Sequence, residues 1–369
     1  MKFIYFSFFI IFDLTLSSTT TLSDLNVDTQ TLAQPVIEEN WEELLVAGPI
    51  VVNYISNLMI LNSKRDFSLK SSSPNHVYQY IKYPNSFRNT LAQIANEIYA
   101  VFIRAHSYMD GIQLSTQQIP KDLKTILKLL KSVPPRTIQA LLPIALDTIE
   151  QIPKNIAKSA NIMIKEYDSL TLLLQEVIAA MADTHAVNNS VLMNMNILVN
   201  ATKELSKMQQ QWSEIIRYQN ILTTRVETIR ETVLNELMDT IKNVTSTNSE
   251  LSAAARTFFV SKMLDKIIEI EQDAHLLYIM AKTYNDISNA YIVFQIANVS
   301  KLLVLPTEDE RQTAMSQLGE TLLFTLAEIS QIVLEQKQQY QQRNQEIQEE
   351  YKQFIQQMMF EELAAGIGK

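Results

Sequence analysis

From Lys154 to Leu305 the chain contains neither glycine nor proline, an uninterrupted run of 152 residues. Those two residues punctuate helices and supply the tight turns that strands need, so such a run has few places to reverse as a sheet. A body built of α-helix is the economical reading. The glycine count agrees: 5 in 369 residues, against a usual ~7%, is too few for a β-sandwich, a Rossmann sheet or a TIM barrel. Nine of the ten prolines lie at or before Pro153. The expected fold class is therefore all-α, an elongated antiparallel bundle of long helices with a shorter, proline-punctuated helical part at the N-terminus.

Capping chemistry divides the glycine-free body. VTSTNS at 244–249 is a polar cluster in which Thr247 and Glu250 match a capping box. At Leu305-Pro306-Thr307 the proline ends one helix, and Thr307 with Glu310 forms a second box that starts the next. DTHAVNNS, Asp183 to Ser190, is the weakest helical stretch. These breaks leave residues 189–243, 250–305 and 308–362, of 55, 56 and 55 residues. At 1.5 Å per residue each is ~80 Å long, and equal rods joined by short turns suit an up-down-up bundle. Before them the sequence predicts helices at 36–62 (interrupted at Gly48-Pro49), 85–109 closed by Gly111, 119–131, 136–151 and 153–187.

Along the first rod, Leu198, Ala201, Leu205, Met208, Trp212, Ile215, Gln219, Leu222, Val226, Ile229 and Val233 recur at alternating three- and four-residue steps. That is a sustained heptad seam, broken by Gln219, which is placed to set register against a partner helix. On the last rod Leu318, Leu322, Leu326, Ile329 and Val333 form a wide apolar face. Residues 335–350 then hold seven Gln with Tyr340 and Ile347 as the apolar seam, so this half is expected to be solvated or packed on a single neighbour.

The first eighteen residues place one lysine before an apolar run from Phe3 to Phe12 and then small polar residues, the layout of a secretory signal peptide. Ten apolar residues are too few to cross a ~30 Å hydrocarbon core. The domain reading is a signal peptide at 1–18, a flexible linker at 19–35, a short-helix region at 36–152 and a long-helix bundle at 153–369, the last two in one continuous fold. A secreted, extracellular chain without cysteine must hold together by burial alone. Asn188, Asn200, Asn243 and Asn298 head Asn-x-Ser/Thr sequons and are candidate N-glycosylation acceptors.

Composition and motif search argue against chemistry. The net charge of −9 and sequence pI of about 5.1 offer no broad basic surface, so nucleic acid is not an expected partner. His76, His106, His185 and His275 fall in no H-E-x-x-H or E-x-x-H pattern. Glu271 and His275, one turn apart, read as a surface pair, and Glu269, Glu271 and Asp273 as a solvated face. No P-loop, G-x-S-x-G or G-x-G-x-x-G occurs. The expectation is a protein with no catalytic, cofactor-binding or metal-binding residues, no cofactor and no small-molecule substrate.

Surfaces remain. Residues 287–305 hold one charge, Lys301, in nineteen positions and run into the Pro306 turn, beyond which the chain is again apolar-rich. Ile287, Tyr291, Phe294, Leu302 and Leu305 on one arm, Pro306 at the tip, and Leu322, Phe324 and Leu326 on the other define a candidate membrane or oligomerisation hairpin. The arms carry more apolar surface than one helix–helix contact uses. In layout (leader, no cysteine, all-α, a chain of this size with rods of this length) the chain resembles the α-helical pore-forming toxins of the ClyA, haemolysin-BL and Cry6A-like group. That resemblance implies a soluble helical bundle that inserts an apolar hairpin into membrane lipid. In tripartite members the hairpin is Gly-rich; here 287–305 lacks glycine. The leading functional expectation is a secreted, non-enzymatic helical bundle acting through a protein partner or self-association, with pore formation or membrane perturbation as the alternative.

Overall fold

The computed structural model describes residues 41–71, 73, 76–184, 189–247 and 249–367, all within one compact unit spanning 35–369. The expected signal peptide, the linker and the start of the first helix lie outside the described residues, as do His185 and Asn188. Among the described residues there is no strand, and the fold is all-α.

α1 (Trp41–Leu61), α2 (Phe87–Thr116), α3 (Ile119–Ser132) and α4 (Pro135–Thr184) come first. α5 (Asn189–Ile229) passes through a π-helical turn, Arg230–Leu234, directly into α6 (Asn235–Ser246). α7 (Ala253–Ile287) passes through a second π turn, Ser288–Ile292, into α8 (Val293–Asn298) and a 3-10 segment, Val299–Val304. α9 (Glu308–Ile367) is the last. The three expected rods are thus present at 189–246, 253–304 and 308–367, the first two each carrying one π turn.

Proline divides the N-terminal part less than expected. α1 continues through Pro49, and α4 runs for 50 residues through Pro143 and Pro153 instead of forming two helices. α2 likewise continues past Gly111 to Thr116. An internal proline costs a helix ~3 kcal/mol. Burial outweighs that cost here: Ile138, Leu142, Leu146, Ile149, Ile156, Ala160, Met163, Tyr167 and Leu170 are all buried along α4, which packs mainly on α5.

The expected capping box at Thr247 is not formed. Thr247 ends α6, and its hydroxyl donates back to the carbonyls of Asn243 and Val244. Ser252 caps α7 instead, accepting from the Ala255 N–H at 3.1 Å. The box at Thr307 is complete. The Glu310 carboxylate accepts from the Thr307 N–H (2.9 Å) and hydroxyl (2.7 Å), and the Glu310 N–H donates to the Thr307 hydroxyl at 3.2 Å.

Polar pairs fix helix directions. Asp168 with Gln209 and Glu150 with Arg230 run α4 antiparallel to the rod after it. Asn62 and Asn194 exchange two amide hydrogen bonds of 3.1 Å while Glu43 meets Lys207, so α1 is antiparallel to α5. Asn53 donates to the Leu318 carbonyl and Ser330 to Glu42, so α1 is antiparallel to α9 as well. Every position of the heptad seam from Leu198 to Val233 is buried, Trp212 fully. Gln219 is buried too, but its amide donates within its own helix, to Thr223. At Gly48 a Cβ would stand 2.6 Å from Ile292 Cδ1, so glycine is what lets α1 press onto the second π turn.

Candidate functional site

The Pro306 turn places two apolar segments side by side in sequence but not in space. α1 packs against the 288–304 segment on one side and against α9 on the other, while the two arms touch each other at few positions. The expected hairpin is therefore not closed upon itself. The physical reason is that α1 is strongly apolar and buries side chains along its whole length, which a place between the two arms allows.

Of the hairpin residues, Ile287 is buried, Tyr291 and Leu302 are partly buried against the core, and Leu305, Leu322 and Leu326 are half-buried. Phe294 is 75% exposed and Phe324 64%; Pro306 at the tip is exposed. Val304 (71%) and Leu323 (59%), which the sequence reading passed over, are exposed beside them. Among the described residues two helical segments, 41–61 and 253–304, are long and apolar enough to cross a membrane; the most apolar window of the first is 67% buried, that of the second 33%. Arg88 ties this arm down by donating to the Leu303 carbonyl at 2.9 Å.

Of the three described sequons, Asn243 is exposed in the last turn of α6, and Asn200 is half-buried in α5. Asn298 donates to the Phe294 carbonyl and accepts from Lys301.

A second feature lies where α9 packs on α7, which in turn packs on α5. Its Gln-rich half docks through Gln336, Tyr340, Ile347 and Tyr351, all buried. Beneath them, Glu271, Gln272 and Asp273 are buried, not solvated, and Glu271 with His275 is not a surface pair. α7 has neighbours on several sides, α2, α3, α5 and α9, so carboxylates at every second position cannot all face water. Apolar residues at consecutive positions on all sides of α7, Ile267, Ile268 and Ile270 before the carboxylates and 276–280 after them, were the signal available in the sequence. Glu271 accepts from Arg343 at 3.0 Å and from the Tyr351 hydroxyl at 2.5 Å. Arg343 also reaches Glu350 at 2.6 Å, which Lys124 of α3 meets from the other side. Buried Arg225 of α5 lies 3.0 Å from Asp273 and 3.7 Å from Glu269, the first an ion pair without hydrogen-bond alignment. The His275 ring stacks on Tyr278 (5.9 Å) and on Tyr340 of α9 (5.7 Å).

Burial sets the protonation of this seam. It pushes the Asp273 carboxyl up to about 7, with Arg225 opposing and Glu269 adding to the rise. It pushes His275 down to about 4, helped by Arg343 and opposed by Glu346. Tyr340 is raised to about 12 by burial, and Tyr351 is raised further by burial and by Glu271. Among the described residues no three metal-capable side chains converge. No family model matches the chain, and no curated protein or solved structure is significantly similar to it.

Proposed function

We propose that this chain is a non-enzymatic helical-bundle protein, secreted to the extracellular space, that acts through its surfaces by self-association or by binding another protein. The observation that carries the reading is that both segments flanking the Pro306 turn expose large apolar side chains, Phe294 and Val304 before it and Leu323 with Phe324 after it. Exposed apolar patches mark contact surfaces. The acidic balance argues against nucleic acid as the partner, and among the described residues the side chains that converge form ion pairs rather than a metal constellation. Size exclusion with light scattering over a range of concentrations tests it. The wild-type chain should associate, and Phe294→Asp with Phe324→Asp should weaken association without loss of helix content. A wild-type chain that stays monomeric, and whose contacts the double variant leaves unchanged, overturns the reading.

A second reading, membrane perturbation, is favoured by one observation: the apolar window within 253–304 is only 33% buried. Dye release from anionic and neutral vesicles separates the two. Leakage that requires Phe294 supports the membrane reading, and a chain inert toward every composition supports the protein-contact reading.

A further inference from the structure

We propose that Asn243 carries an N-linked glycan, and that Asn200 and Asn298, which head the same motif, do not. The inference rests on the secreted reading, because the sugar donor, a lipid-pyrophosphate-linked oligosaccharide, is met on the secretory route. In the transfer the carboxamide Nδ2 bonds to the anomeric carbon of the sugar and gives up one proton. The anomeric C–O bond to the pyrophosphate breaks, and the lipid pyrophosphate leaves with that proton.

The motif alone does not separate the three sites; the fold does. α6 turns Leu237 and Ile241 into the core, and both are buried. At 3.6 residues per turn Asn243 stands about 160° around the helix from Ile241. It is exposed, and so are Asp239, Ser246 and Thr247, its neighbours about one turn away. No side-chain hydrogen bond ties its carboxamide to another described residue. A bulky, solubilising group on this Nδ2 projects into water and displaces nothing.

The other two carboxamides are engaged or enclosed. Asn298 donates from Nδ2 to the Phe294 carbonyl at 2.8 Å and accepts from Lys301 at 2.7 Å, and Val299 beside it is buried. A sugar on that nitrogen competes with the bond to Phe294. Asn200 is half-buried in the middle of α5, a helix that packs on both α4 and α1, so a bulky substituent there competes with helix packing. Timing makes this difference decisive. Once α6 has formed, the Thr245 hydroxyl of the Asn243 motif donates to the carbonyls of Ile241 (2.6 Å) and Lys242 (3.1 Å). Transfer therefore precedes closure of that turn, and the folded bundle then accommodates the product at Asn243 and not at the other two.

The position also leaves the apolar contact surface free. Arg65 donates to Ser190 at the start of α5, at 2.9 Å, and its charge acts on Glu308 and Glu310 beside the Pro306 turn. From Ser190 to Asn243 along the same rod is ~80 Å at 1.5 Å per residue. A glycan at Asn243 thus lies toward the opposite end of the bundle from that turn.

Expression of the full chain in insect cells tests the proposal. The secreted protein is compared before and after peptide N-glycosidase, by mobility and by mass spectrometry, since removal of the glycan leaves aspartate at the acceptor. The wild-type chain should lose one glycan from position 243. Asn243→Gln and Thr245→Ala should lack that glycan, and Thr245→Ser, which preserves the motif, should keep it. Asn200→Gln and Asn298→Gln should match wild type in glycan content. Asn243→Gln alters an exposed, unbonded side chain and should keep wild-type helix content. A secreted chain with unmodified Asn243 overturns the proposal, as does a glycan at Asn200 or Asn298. A chain that reaches the medium, glycosylated at Asn243, only behind a host leader in place of residues 1–18 overturns the secreted reading and supports the acceptor assignment.

Discussion

Asp273 and His275 bind protons in opposite senses within one seam, so removing either should uncover a pH dependence that the wild-type chain conceals. Asp273 is held at about 7 against an ordinary 3.8, chiefly by burial. Between those values the folded chain keeps a proton that the unfolded chain has released. Its contribution to stability is therefore full at acid pH and is lost as pH rises through about 7. His275 is held at about 4 against an ordinary 6.5, again chiefly by burial. There the unfolded chain carries the additional proton, so the contribution is present above 6.5 and is lost as pH falls toward about 4. Each group runs at ~1.4 kcal/mol per pH unit within its window, with opposite sign. Asp273→Asn should lose ~3–4 kcal/mol relative to wild type on going from neutral pH to about 4, and His275→Gln should gain ~3 kcal/mol over the same interval. Arg225, Glu269, Arg343, Glu346 and Tyr340 face these two groups and are the same in all three proteins, so their titration cancels in the comparison. The loss of Arg225's partner in Asp273→Asn adds an offset; the slope is what is read. Urea unfolding at pH values of about 4.5, 5.5, 6.5 and 7.5, followed by helix signal, gives the slopes. Three parallel profiles would refute the reasoning, because they would mean that neither group changes its proton affinity on folding.

The other predictions concern packing. Trp212→Ala should cost ~3–5 kcal/mol in chemical denaturation, since the ring is fully buried in the α5 seam; a loss under ~1 kcal/mol would place it outside the core. Gly48→Ala should cost ~1–2 kcal/mol, and Ile292→Val in the same chain should recover part of it by withdrawing the methyl that the new Cβ meets. Pro143→Ala should raise the melting midpoint, by restoring a hydrogen bond within α4 worth ~1 kcal/mol or more; an unchanged or lower midpoint would show that the α4–α5 contact needs the proline. Replacing the Glu271 contacts by apolar groups, Glu271→Met with Arg343→Met and Tyr351→Phe, should leave the unfolding free energy unchanged or raise it by ~1–4 kcal/mol, as measured by chemical denaturation; a loss of several kcal/mol would refute it.

Much of this fold was legible in the sequence because its signals are local. The absence of glycine and proline over 154–305, the three- and four-residue spacing from Leu198 to Val233, and the Thr307–Glu310 box all act within a few residues of where they are read. What failed depended on distant neighbours. Pro153 argues locally for a break, and the long α4–α5 contact overrides it. Thr247 matches a box, but its hydroxyl prefers the open carbonyls of the helix it ends. Glu271 and Asp273 look like surface residues until α7 is seen to have neighbours on several sides. The apolar hairpin was read from two arms alone, whereas α1, more than two hundred residues earlier, lies against both.

The two kinds of seam around α7 divide the labour between stability and register. α7 buries Phe259, Met263, Ile267, Leu277 and Ile287 in the core, and side chains of that kind tolerate small slips because one apolar contact replaces another. Toward α9 it presents Glu271 and His275, which are not interchangeable with their neighbours. A shift of α9 by one turn, ~5.4 Å, would separate Glu271 from Arg343 and Tyr351 together and unstack Tyr340 from His275. Buried ion pairs add little net stability compared with apolar pairs of the same volume, but a misplaced one is costly. The Gln-rich half of α9 therefore has one position on this bundle in which its charges are satisfied. Apolar area and position thus act together on α9: Ile329, Val333 and Ile347 supply buried contact, and the Glu271 pairings fix the register in which that contact is made.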